Sequence, residues 1–116
     1  MKSDSSRQNA GITFDLPAMR SNATRAAALM QALSNPHRLL VLCVLADGEL
    51  SVGELNDRID LSQSALSQHL AVLRREELVT TRRESQTIYY TAVPGVALDI
   101  VKVLHERFCC NARDIS

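Results

Sequence analysis

Aromatic residues are nearly missing from this chain: it has no tryptophan, two tyrosines and two phenylalanines in 116 residues. A core without rings must be assembled from Leu, Val, Ile and Ala, and 46% apolar residues supply enough for one small, mainly helical domain. Charge of one sign is also missing, since 13 basic residues balance 13 acidic ones. No whole-molecule field therefore draws the chain to a polyanion, and any attraction to nucleic acid must come from local placement. Long apolar runs do not occur. The longest, Leu39 to Ala46, has eight residues, against the roughly 20 that a spanning helix needs. The first 16 residues hold no signal-peptide core, so the expectation is a cytoplasmic protein without a membrane partner.

Cysteine is scarce and odd in number, which excludes complete pairing; three thiols in a reducing compartment read as free thiols, ligands or sensors. Catalytic motifs are lacking as well. His37, His69 and His105 form no constellation, and there is no Gly-rich phosphate loop, nucleophile motif or acid pair. Neither an enzyme nor a cofactor is expected. A thiol oxidoreductase using Cys109 and Cys110 would want spaced cysteines near a helix start, not neighbours at a helix end.

What is present is an unbroken stretch from Leu50 to Thr91 that reads as two short helices, a tight turn and a β-hairpin. Ser51 with Glu54 three residues later makes a capping box, and Val52, Leu55 and Ile59 share one face of the helix that follows. That helix stops at Asp60-Leu61. Ser62 caps a second helix in which Leu66, Leu70 and Leu73 point inward while Gln63, Ser64, Ser67, Gln68, Ala71, Arg74 and Arg75 point out. Glutamine and serine offer hydrogen bonds to base edges and phosphates without bulk, and no charge appears on that face before Arg74. The plain alternative is a solvated surface. Val79 to Arg83 and Thr87 to Thr91 then form a hairpin joined by Glu84-Ser85-Gln86, with Arg82 and Arg83 near its tip. Its position beside two such helices favours a winged helix-turn-helix that binds double-stranded DNA: Gln63, Ser64, Ser67 and Gln68 read it, and Arg82, Arg83 and Gln86 support from the wing.

Flanking segments supply the rest of the fold. Residues 1–16 lack periodicity and read as a flexible tail, 17–110 as one domain, and 111–116 as a second tail. Pro17 suits a first helical turn, Ala26, Leu29, Met30 and Leu33 mark an apolar face, and Asn35-Pro36 starts a helix that is apolar nearly all round until Asp47-Gly48. Pro94 restarts helix, with Ala97, Ile100, Val101, Leu104 and Phe108 on a broad apolar face. In so small a domain the first and last helices are expected to bury their remaining apolar surface against a second copy.

The string LSVGEL…LSQSALSQHLAVLR…LV…R…Q…YY resembles the ArsR/SmtB family of winged-helix repressors over about Ala26 to Cys109. The Leu42-Cys43 pair and the aromatic-cysteine end Phe108-Cys109 resemble its HlyU/BigR-type branch. The resemblance implies a homodimeric transcriptional regulator on a pseudo-palindromic operator, whose DNA affinity responds to oxidation or persulfidation of Cys43 and Cys109, with an oxidant or reactive sulfur species as inducer. Read without the family, Cys43 is equally a small buried hydrophobe. Helical projection independently makes Cys109, rather than Cys110, the better inward partner, because adjacent helical residues diverge by about 100°. Metal sensing is the rival reading. No CxC pair precedes the second helix, and Asp99 and His105 are not followed by a second histidine, leaving only a Cys43, His105, Cys109 set. A regulator of the same fold that displaces another silencer stays open beside repression.

Overall fold

The computed structural model describes residues 13–110. Four of the helices begin at side-chain caps. Asp15 accepts the Ala18 amide and starts α1, Leu16–Leu33, with Pro17 in its first turn. Asn35 Oδ1 accepts the amides of His37 and Arg38 at 2.8 and 3.1 Å, and Pro36, which needs no amide partner, opens α2, Pro36–Leu45. The expected capping box is present: Glu54 N donates to Ser51 Oγ and Ser51 N donates to Glu54 Oε1 at the start of α3, Val52–Arg58. Ser62 accepts the Ala65 amide and starts α4, Gln63–Arg75.

Helix α4 ends in a Schellman turn built without glycine. Leu78 N donates to Leu73 O at 2.8 Å and Glu77 N to Arg74 O at 3.0 Å, while Glu77 takes φ 63. The left-handed residue is a glutamate, and the buried pair Leu73 and Leu78 supplies the apolar contact that holds the motif. The chain then forms β2, Val79–Glu84, and β3, Thr87–Ala92. Each strand is one residue longer than expected: Glu84 extends β2 by pairing with Thr87 across a two-residue turn in which Ser85 is left-handed, and Ala92 extends β3 by pairing with Val79. A two-residue strand β1, Leu50–Ser51, adds to β3 and makes an antiparallel sheet of order β1-β3-β2. It is too short to leave a pattern in the sequence. Gly95, at φ 155, turns the chain into α5, Val96–His105. A wider π-helical turn, Glu106–Cys110, takes the place of the expected last turn of α-helix.

The core is aliphatic throughout. Val41, Leu42 and Leu45 of α2 meet Leu55 of α3, Leu66, Leu70 and Leu73 of α4, Val79 and Ala92 of the sheet, and Ala97 and Val101 of α5. No polar side chain is fully buried among the described residues. The expected inward and outward faces of α4 are both observed.

Arg38 ties three helices together at the edge of this core. Its Nε donates to Ala32 O at 2.6 Å and its Nη2 to Gln31 O at 3.3 Å, closing the end of α1. Its Nη1 lies 3.4 Å from Nδ1 of His69 on α4. A guanidinium has only donors, so His69 Nδ1 must accept and the ring is neutral with its proton on Nε2. His37 stacks beside it, ring centroids 5.6 Å apart, with a buried Nδ1 that has no hydrogen-bond partner. Burial, then Arg38, then His37 hold the His69 pKa below its ordinary 6.5. The unfolded chain therefore binds a proton first on acidification. The stabilisation is complete above about pH 6.5 and is lost as the pH falls below that value. Thermal unfolding of the parent and of His69→Gln should diverge: the parent loses melting temperature between neutral pH and pH 5.5, and the variant loses measurably less over the same interval.

Candidate nucleic-acid interface and thiol pair

A side-chain hydrogen bond spans the turn between α3 and α4. Asn56 Nδ2 donates to Leu61 O at 2.7 Å, bridging α3 to the residue before the Ser62 cap. With α4 clamped through its three leucines, Gln63, Ser64, Ser67, Gln68 and Ala71 are all exposed. Their spacing draws one stripe along two turns at the N-terminal end of α4. Between Ser62 and Arg75 there is no acidic residue. Among the described residues the one side-chain hydrogen bond of the stripe is Ser64 Oγ to Ser62 Oγ at 3.4 Å. Arg74 and Arg75 follow at the far end, where Arg75 Nε lies 3.9 Å from Glu76 in an exposed pair.

The two wing arginines differ. Arg82 faces Tyr89 across the ladder, its guanidinium 4.6 Å from the ring centroid, and reaches Glu49 through Nε at 2.7 Å and Nη2 at 2.8 Å. Its Nη1 also contacts Glu84 at 3.3 Å. These hydrogen bonds lower the Glu49 pKa and raise that of Arg82. Arg83, paired with Ile88 one step closer to the turn, is exposed, and so is Gln86 within the turn. Arg83 has no ion-pair partner among the described residues. The Glu49 contact escapes the sequence because Glu49 lies 33 positions from Arg82 and is brought to it only by β1.

Cys43 lies half-buried on α2, and Cys109 is exposed in the π-helical turn; both are free thiols. Burial, foremost, pushes the Cys43 thiol up, with smaller contributions from Cys109 and Asp47. Cys43 opens onto a groove of about 400 Å3 between α2 and α5, with Asp47, Lys102 and His105 on its rim. His105 thus stands near Cys43, yet no group of three or more metal-ligating side chains converges among the described residues.

Apolar surface is concentrated on the first and last helices. Only Ala32 and Leu33 of α1, and Ala97 and Val101 of α5, are buried. Met19, Met30, Val96 and Val103 are exposed, and a groove of about 560 Å3 runs between the two helices past Leu29 and Ile100. No single described helix is both long and apolar enough to cross a membrane; α1 and α2 reach that length only together, meeting at 89°.

Comparison with known proteins agrees with this geometry. Residues 35–81 match the model of the bacterial regulatory proteins of the arsR family. The chain is 48% identical over 99 residues to the transcriptional activator HlyU of Vibrio cholerae, covering 85% of this chain and 92% of the relative. It is 45% identical over 100 residues to the biofilm growth-associated repressor of Agrobacterium fabrum, covering 86% of each. The structure of reduced HlyU from Vibrio cholerae superposes with a TM-score of 0.74 at 50% identity, covering 79% of this chain and 97% of that one. A mainly helical winged helix-turn-helix with these relatives is a DNA-binding regulator rather than an enzyme, and the chain belongs to the arsR family.

Proposed function

We propose that this regulator is a homodimeric repressor that reads a pseudo-palindromic operator with α4 and releases it when Cys43 and Cys109 are oxidised or persulfidated. The observation that carries the DNA reading is the exposed, acid-free stripe Gln63, Ser64, Ser67 and Gln68 backed by three buried leucines. Such a helix can enter a major groove without holding itself off the bases. The unpartnered apolar faces of α1 and α5 support dimerisation through those helices, which gives each half-site one α4. Repression follows the Agrobacterium relative. The Vibrio relative is named an activator, and this favours displacement of another silencer as the second reading.

Support for the switch comes from the packing of α2, which carries Cys43, against α5, which leads into the turn that carries Cys109. With peroxide, the two thiols give up two electrons and two protons, forming one S–S bond and two waters. With a low-molecular-weight persulfide, the thiolate of the exposed Cys109 takes the terminal sulfur and the small thiolate leaves; Cys43 then attacks the Cys109 sulfur, losing its proton, and expels hydrosulfide. Direct bridging requires Cα atoms within roughly 7 Å, and a polysulfide link spans more. Joining the helices shifts α5 on α2 and so the spacing of the two α4 helices, which must match about one DNA turn, ~34 Å.

Two experiments test these parts separately. Gln63→Ala or Gln68→Ala should cost on the order of 1–3 kcal/mol on the preferred duplex and relax base preference, with little change on random DNA. Equal losses on both duplexes would make these residues backbone contacts. Treatment with peroxide or a persulfide should release DNA from the parent and from Cys110→Ser but not from Cys43→Ser or Cys109→Ser, with the mass of the bridged species confirming the pair. Release from Cys43→Ser at the parent's dose would overturn the switch.

A further inference from the structure

Glu49, Arg82, Arg83 and Glu84 bring two positive and two negative charges to the wing, so a wing with all four free would carry no net attraction for phosphate. Their placement separates them. Side chains alternate across a strand, so Arg82 and Glu84 share one face of β2 and Arg83 takes the other. The register puts Arg82 opposite Tyr89, and Tyr89 opposite Ser51 of β1, two residues after Glu49. The guanidinium thus crosses β3 over the Tyr89 ring to reach Glu49 on the far side, while Glu84 touches it from its own strand. One arginine on the outer face links β2, β3 and the residue that leads into β1. Arg83 alternates onto the face where Val79 and Ala92 are buried, the side on which the helices pack.

From this arrangement we infer that Glu49 is a positioning residue for DNA binding: it holds Arg82 on the outer face, fixing the wing, and leaves Arg83 as the wing's contact with phosphate. This rests on the reading of the protein as a DNA-binding dimer whose wing meets the duplex. Isolated exposed ion pairs contribute little, but a two-pronged guanidinium–carboxylate contact shared with a second carboxylate and an aromatic face is the geometry in which they do contribute. A guanidinium so occupied has to break its contacts with two carboxylates before it can pair with phosphate. Arg82 therefore adds nothing to the count of counterions released.

The full-length reduced protein provides the test, by fluorescence anisotropy on a random-sequence duplex and on a duplex the protein selects from a random pool, over a range of salt concentrations. Arg83→Gln should lower the slope of log affinity against log salt by about 2 for the dimer, one phosphate contact per wing. Arg82→Gln should leave the slope at the parent's value while weakening the selected duplex. The double variant Glu49→Gln/Arg82→Gln should be no weaker than Arg82→Gln alone, as two residues acting through one contact must be. Faster amide exchange at Ile88 and Tyr89 in Glu49→Gln, with an unchanged helical signal, should accompany the loss and shows that only the wing has loosened. A slope that falls as far in Arg82→Gln as in Arg83→Gln, or fully additive losses in the double variant, would overturn the inference. A slope unmoved by Arg83→Gln contradicts the wing-to-phosphate reading beneath it, and the inference falls with that reading.

Discussion

Everything at the interface depends on how α4 is held. Leu66, Leu70 and Leu73 are buried against α2, and each contributes about 1.5–3 kcal/mol by leaving water. Rotating α4 by one residue, about 100°, so that Ser67, Ala71 and Arg74 took the inward positions, would exchange that burial for a serine and an arginine without partners, which costs far more than it returns. The polar stripe is therefore presented to solvent by the core itself. A helix that must stay free of acid and bulk on one face can do so because its stability comes from the other.

Helix α2 is where this constraint meets the rest of the molecule. At its start Arg38 joins the end of α1 to His69 on α4; one residue beyond Leu42, Cys43 faces α5. In the proposed switch, movement of α5 against α2 would reach α4 through an aliphatic core instead of a loop. The same economy governs charge. A chain with no net charge keeps acid off α4 and gathers wing acids around one arginine, which is the surface the proposal offers to DNA.

Helical periodicity, caps and the Ser62 boundary made α2, α3 and α4 legible from residues alone, since each depends on neighbours within four positions, and the hairpin was legible from two β-rich runs on either side of a short link. The inward and outward faces of α4 follow from the same spacing. What was hidden depends on distant residues. Strand β1 has two residues and exists only because β3 is there to pair with it. The Arg38 and His69 contact, and the Glu49 and Arg82 contact, span more than 30 positions each. Arg82 and Arg83 are equivalent in sequence, and only strand alternation and a remote carboxylate make them different. The end of α5 departs from regular helix at Glu106, a change of turn that the apolar pattern through Phe108 does not signal.

Methylation interference on an operator fragment tests the central claim most directly, because guanine N7 lies in the major groove that α4 is proposed to enter. The account predicts two clusters of interfering guanines on one face of the duplex, about one helical turn apart or a multiple of it, related by the operator's two-fold axis. Interference in a single cluster, or binding indifferent to N7 methylation, would contradict a dimer that reads DNA through the outward face of α4.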